Sequence, residues 1–445
     1  MRARLPVAVA ALAVAALAAP SAAHPGHDRA PRAMRFEQPS LVTPELGGGL
    51  DPSVSVDSFG NVVVTASRDD ATSVVAPDTS STPPVRAASW RRVSVDEGKT
   101  WKSLPGLPGG ADALVPGFEA DVAVDGKGAF HVVDGNRLDL SLTAYDVRGR
   151  DRITRRSAPP TIAPTARLDT RPFIAVHGPA GQGVVITAAD PVSDPVTIGA
   201  APGSGFGPGR YVVYTFRDGL LTAAPTGYPL KDSFSCRPVA DPRPGSTRIV
   251  IACLDGNGTL YAYVSIDDGK TFERYAVSRY VANDPNPGRP SVTIARDGTI
   301  HVLISEGVVF VGAVPTASRL RLFSSKDGRR WSTRDVTDVP GIYRQAAISA
   351  GPDGRLGVAA YFRPNPSAKW NVVAGSMRAS ERTVYLTAFA HDEPVAEGGA
   401  AEPPGSHLSL TWSAARRMHV SWSRTDDAAD SGLLHEVWHA RSLPV

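Results

Sequence analysis

The chain has 445 residues, a formal net charge of +3, two cysteines, and 42 glycines and 39 prolines scattered between apolar runs. That near-neutral balance gives no basis for binding nucleic acid or an anionic membrane surface, and the scatter of turn formers argues against disorder. A metal site at the cysteines is set aside because no third ligand lies near either.

Residues 1–23 read as a secretion signal: MRAR supplies the positive start, an apolar run follows, and Ser21, Ala22 and Ala23 form a small-residue cleavage site. The expected mature chain is exported. It begins with a loose leader at 24–33, in which His24 and His27 are read as flexible residues rather than as a copper chelate. The longest later apolar run, GVVFVGAV (307–314), fits a strand and is too short to span a membrane.

MRFEQPSLVT (34–43) reads as a strand with no local partner. After it comes DPSVSVDSFGNVVVTAS (51–67), an alternating strand, a Gly-containing turn and a second apolar strand. The phrase returns at 119–134, 171–190, 237–253, 289–306, 344–362 and 407–424, in steps of 52 to 68 residues. Only LLHEVWHARS (433–442) remains after the last copy, one strand short of a set. Isolated hairpins are marginal, and helical periodicity is absent, so radial repetition of four-stranded sheets is the expected way to bury them. The expected fold is all-β, a seven-bladed β-propeller over 34–445, with six blades the alternative and the ring closed by the N-terminal strand docking on the last blade. Cys236 and Cys253 flank the turn DPRPGST, which would set them opposite each other as a disulfide.

A second phrase lies between hairpins: VSVDEGKTW (93–101), VSIDDGKTF (264–272) and, more loosely, FSSKDGRRW (323–331), where Lys326 stands at the Asp position and Arg330 at the Thr position. TFRDGLL (215–221) keeps Thr215, Asp218 and Gly219. The pattern Ser-x-Asp-x-Gly-x-Thr-aromatic resembles the Asp box, or BNR repeat, of sialidases and related propellers. Its roles are structural: Asp caps turn amides, Gly takes positive φ and the aromatic wedges between blades. Asp96 and Asp267 are therefore not expected to be catalytic.

Ligands of propellers sit where inner strands enter the central channel, and alternation puts Asp51, Glu119, Arg171, Arg237, Arg289, Arg344 (or Gln345) and His407 at that rim. Arginine forks suit a carboxylate or sulfate. The resemblance to sialidases implies Arg171, Arg237 and Arg289 as a carboxylate clamp, with Arg344 and His407 beside it. It implies Glu119 as base, Asp51 as acid and Tyr343 as nucleophile. The first hairpin lacks the Phe-Arg-Ile-Pro signature of that family. A competing reading makes the arginines cross-strand ion pairs, Arg289 with Glu306 and Arg171 with Asp190. The second hairpin is expected to bring Asp134 near Glu119 as a carboxylate pair. Long loops at 67–86, 189–210 and 362–382 are expected on the same face, with Phe206 and Trp370 either stacking on sugars or packing between loops. The expected function is recognition, or sialidase-like hydrolysis, of an anionic glycan or extracellular polysaccharide by a secreted monomer that needs no cofactor. A non-catalytic interaction module and a polysaccharide lyase using His407 with a tyrosine are the alternatives.

Overall fold

Alternating apolar residues on either side of a tight turn make each expected hairpin the inner pair of a four-stranded antiparallel sheet. In a computed structural model of the chain the described residues are 33–43, 49–67, 88–104, 115–116, 119–135, 140–149, 152–155, 161–162, 167–168, 172–178, 181–190, 210–217, 220–221, 228–230, 233–255, 258–279, 289–311, 314–337, 339–388, 408–425 and 435–444. The expected signal and His24 and His27 lie outside them, as do Arg171, Phe206, Asp218, Gly219, His407 and the centres of the first two long loops.

The fold from Ala33 onward is a seven-bladed β-propeller. Blade 1 runs Leu50–Val56, Val62–Ser67, Ala88–Ser94 and Lys102–Ser103 from the axis outward. Blade 2 is Glu119–Val124, Phe130–Gly135, Leu140–Val147 and Ile153–Arg155, and blade 3 is Phe173–His177, Gln182–Asp190, Arg210–Arg217 and Leu220–Leu221. Blade 4 is Phe234–Ala240, Ile249–Leu254, Thr259–Ser265 and Glu273–Arg279. Blade 5 is Ser291–Ile294, Ile300–Val311, Val314–Ser325 and Ser332–Asp335. Blade 6 is Ile342–Ala350, Arg355–Arg363, Asn371–Arg378 and Thr387–Ala388. Blade 7 takes Ser409–Trp412, Met418–Thr425 and His435–Arg441 from the end of the chain and Ser40–Leu41 from its start, with Ser40 opposite His439. Each innermost strand neighbours the next, blade 7 returning to blade 1, so the ring closes without a free inner edge.

The core is divided among the seams. Among the described residues, seven hydrophobic clusters are each shared by two adjacent blades, for example Val133, Leu142, Ile174 and Tyr214 between blades 2 and 3. Second strands such as Ile249–Leu254 are buried throughout, whereas the outer strand Glu273–Arg279 is largely exposed. Radial position thus explains why inner strands read as continuous apolar runs and outer ones do not.

The recurring polar phrase closes the turn between third and fourth strands. Asp96 Oδ1 accepts from the amides of Lys99 and Thr100, and Asp267 Oδ1 from those of Lys270 and Thr271. Ser94 and Ser265 Oγ accept from the Gly98 and Gly269 amides. Burial would raise Asp96 and Asp267, but hydrogen bonds from the Ser94 and Thr100 hydroxyls to Asp96 and from the Thr271 and Ser265 hydroxyls to Asp267, together with the turn amides, outweigh it and hold both carboxyls below the usual range. In the third copy the clasp slides by one residue: Ser325 and Asp327, rather than Ser324 and Lys326, cap the turn, and backbone amides lower Asp327 to about 2. The glycine is fixed by two independent demands. Gly269 has φ +84, and a Cβ there would strike Val184 of blade 3. Gly269→Ala is expected to lower unfolding free energy by about 2–4 kcal/mol in chemical denaturation.

The disulfide Cys236–Cys253 forms as expected, Cα atoms 4.2 Å apart, joining the first two strands of blade 4. The stretch 362–382 departs from expectation. It is a short connection from Arg363 into the strand Asn371–Arg378, and Trp370 is fully buried beneath the Arg363 guanidinium, 4.4 Å away.

Candidate functional site

The inner strands surround a central cavity of about 260 Å³ whose lining comes from all seven blades. Its wall is stitched across the seams by side chains at equivalent strand positions. Ser409 Oγ accepts from the Val54 amide, Asp121 Oδ2 from the Ile174 amide and Ser291 Oγ from the Ile348 amide, each at 3.0 Å. Asp121 also accepts from the Ser53 hydroxyl and the Val122 amide. Its buried oxygens are engaged with three blades, so this carboxylate acts as a seam clasp.

Against this wall stand Arg237 of blade 4 and Arg289, which leads into blade 5. The Arg237 guanidinium lies 3.8 Å from the centroid of Phe173. Stacking on an aromatic face fixes the plane of the fork. Arg289 was expected opposite Glu306, but that carboxylate is taken elsewhere: Arg319 Nε lies 2.8 Å and Arg321 Nη1 3.0 Å from Glu306 Oε2. Among the described residues Arg289 makes no hydrogen bond or ion pair, and it is partly exposed in the channel.

Among the described residues, Asp51 and Arg344 do not line this cavity. Asp51 starts blade 1 with φ +55, is buried, and its amide donates to Ser423 Oγ at 3.2 Å. Glu119 lies in its strand opposite Gly135. Asp134 is one position off the expected pairing. It opposes Ala120 and forms a buried ion pair with Arg91 of blade 1, so it makes no carboxylate pair at the mouth. Asp190 lies opposite Arg167. Arg344 lies opposite Tyr361 and is buried within blade 6.

Tyr343 is 1% exposed, stacks on Phe362 at 4.9 Å and donates its hydroxyl to the Val339 carbonyl, in the core between blades 5 and 6. Tyr361 is also buried. Its hydroxyl is tied to Ser423, and burial, aided by the nearby Asp51 charge, pushes it far above the ordinary phenol range. A phenol raised in this way is a poorer nucleophile.

Asp121 and the serines of the wall were not singled out by sequence. The usable signal was distance from the turn: four ladder pairs before the turn fall Ser53, Asp121, Arg237, Ser291 and Ser409. Bulges at Asp51–Pro52, Ser235–Cys236 and Gln345–Ala346 shift the entry of three blades by one residue and obscure that count.

Fold and site together define a seven-bladed β-propeller with a small polar channel that carries, among the described residues, Arg237 and Arg289. No known family model matches the chain, and no curated protein does. Among solved structures it is similar to a protein of unknown function from Dyadobacter fermentans, at 13% identity, 92% of this chain, 100% of that chain and TM-score 0.49. It is also similar to the BP39L lectin from Burkholderia pseudomallei at 12% identity, 90% of this chain, 99% of that chain and TM-score 0.48. The NanB sialidase from Streptococcus pneumoniae is similar at 12% identity, 92% of this chain, 70% of that chain and TM-score 0.42. At these scores the likenesses carry no weight for the chemistry of the channel, which is read from its own residues.

Proposed function

We propose that this is an exported Asp-box propeller that binds the acidic group of a saccharide at the channel, held by Arg289 and Arg237. The observation that carries the reading is Arg289: a guanidinium in the cavity wall without a partner among the described residues, its expected carboxylate bound by Arg319 and Arg321. A bare cation beside a second guanidinium is where a carboxylate or sulfate gains charge-assisted, bidentate hydrogen bonds. The cavity, about 260 Å³, is below the usual 300–1,000 Å³ of ligand pockets, which favours one terminal sugar unit over an extended chain. Binding is favoured over hydrolysis because the hydroxyls of Tyr343 and Tyr361 are engaged by backbone groups in the core.

The purified protein is expected to select acidic over neutral glycans on an array, with Arg289→Ala weakening that binding about 10–100-fold. Binding unaffected by Arg289→Ala, or a preference for neutral glycans, contradicts the proposal. Turnover of a fluorogenic sialoside by wild type and its loss in Arg237→Ala would establish the hydrolase reading, with Asp51 and Glu119 the carboxylates to replace next.

A further inference from the structure

We infer that the face carrying the Asp-box turns holds a second binding surface, at the seam of blades 6 and 7, that takes an acidic polysaccharide chain and does not depend on the channel. Arg355 opens the second strand of blade 6 and Arg378 ends the third, and the two stand directly opposite each other in the ladder. Opposed residues of an antiparallel pair project to the same side of the sheet, and like charges placed there repel. Among the described residues neither guanidinium forms an ion pair, although Arg355 Nε donates to Ser376 Oγ at 3.3 Å. The acids beside them serve the backbone: Asp353 Oδ1 accepts from the Arg355 amide and Glu381 Oε2 from the Arg378 amide.

The neighbouring turns add further cations. Arg382 follows Arg378 in the connection to the outer strand, and Arg416 lies in the inner turn of blade 7. Both are exposed and make no ion pair among the described residues. The turn of Arg416 lies against the same side of blade 6. A Cβ at Gly357, two residues along from Arg355, would meet Met418 and Trp412, which flank that turn. Elsewhere on this face exposed cations are matched, Lys326 by Asp297, Arg329 by Glu273 and Arg243 by Asp241. Arg355, Arg378, Arg382 and Arg416 are thus a local excess of positive charge. An exposed ion pair is worth little by itself, so a lone anion is held weakly, whereas a chain that meets several guanidinium groups at once gains by multivalency. Tyr385, 54% exposed in the same connection as Arg382, adds an aromatic face on which a sugar ring can stack. The turns at 378–382 and 413–417 hold no apolar residue larger than alanine, so they have nothing to insert into a bilayer.

Biolayer interferometry on immobilised polygalacturonate, on neutral dextran and on vesicles of equal parts phosphatidylcholine and phosphatidylglycerol tests this. The proteins compared are wild type, Arg289→Ala, and the double variant Arg378→Ala with Arg416→Gly. The first substitution relieves the opposed charges, and glycine accepts the φ of +60 at position 416, so the double variant is expected to keep or raise the melting temperature. Wild type is expected to bind polygalacturonate and not dextran, the double variant to lose about 10–100-fold, and Arg289→Ala to stay within about 2-fold. If wild type binds no polygalacturonate, binds dextran equally or prefers the vesicles, the inference is overturned. It is equally overturned if the double variant binds polygalacturonate as wild type does. Loss of that binding in Arg289→Ala alone would assign the chain to the channel and leave this surface without a role.

Discussion

Arg91→Ala is expected to lower the unfolding free energy by about 3–5 kcal/mol, a large fraction of the total stability of a typical protein. Arg91 belongs to the third strand of blade 1 and Asp134 to the second strand of blade 2, and both side chains are almost fully buried. The guanidinium contacts Asp134 and the Tyr145 hydroxyl, and Ser89 Oγ donates to the other carboxylate oxygen at 2.7 Å. Burial pushes the Asp134 carboxyl up while Arg91 and Ser89 pull it down. Removing Arg91 leaves only the Ser89 hydroxyl against the burial, and the carboxylate is stranded between blades. The double substitution Arg91→Met with Asp134→Leu is expected to recover most of the loss, because it removes both desolvated charges together. Chemical denaturation of wild type and the two variants decides it; a loss under about 1 kcal/mol for Arg91→Ala would show the pair to be dispensable.

Acid is expected to destabilise the protein through its buried histidines well before its carboxylates titrate. In blade 7 His419 Nδ1 and His439 Nε2 face each other at 3.1 Å, an arrangement that shares one proton and has no room for a second. Burial, then the neighbouring Arg441 and Arg417, lowers His419 to about 3, and burial, His419 and Arg441 hold His439 well below its ordinary value. In blade 5 burial lowers His301 to about 4. These folded values lie below the unfolded value near 6.5, so the unfolded chain takes up protons first. The stability they contribute is complete above about pH 6.5 and is lost as pH falls toward the folded values, about 2–3 kcal/mol each for His419 and His301 by pH 4.5. Melting temperature is therefore expected to be flat from pH 8 to 6.5 and to fall steeply below it. His419→Asn should make that fall shallower; an unchanged slope would remove the histidine pair as its cause.

The architecture was readable because each hairpin carries period-2 alternation and all but the last, which turns at 413–417, carry an Asp- or Gly-bearing turn. The unpartnered strands at the two ends of the chain also had a single economical solution, realised where Ser40 pairs with His439. The site was half readable. Arg237 and Arg289 were found, but Arg237 lies two ladder positions deeper in its strand than the rim position assigned to it, level with Asp121 rather than Glu119. Positive φ at Ser235 and Gln345 has no signature in an isolated sequence, because neither residue type demands it. The partners of Glu306 and Asp134 were missed for one reason. Hairpin reasoning pairs a first strand with a second, whereas these carboxylates reach third-strand arginines, Arg319 and Arg321 in the same blade and Arg91 in the neighbouring one. The shifted clasp at Ser325 and Asp327 shows the same limit on a smaller scale: the turn is preserved while its residues move by one.

A crystal structure of the protein soaked with D-glucuronate tests the binding claim most directly. The expected result is a carboxylate in the central cavity with its oxygens within hydrogen-bond distance of the Arg289 and Arg237 guanidinium groups. Sugar bound elsewhere with the cavity empty, or Arg289 found bonded to a carboxylate of its own chain, would contradict it.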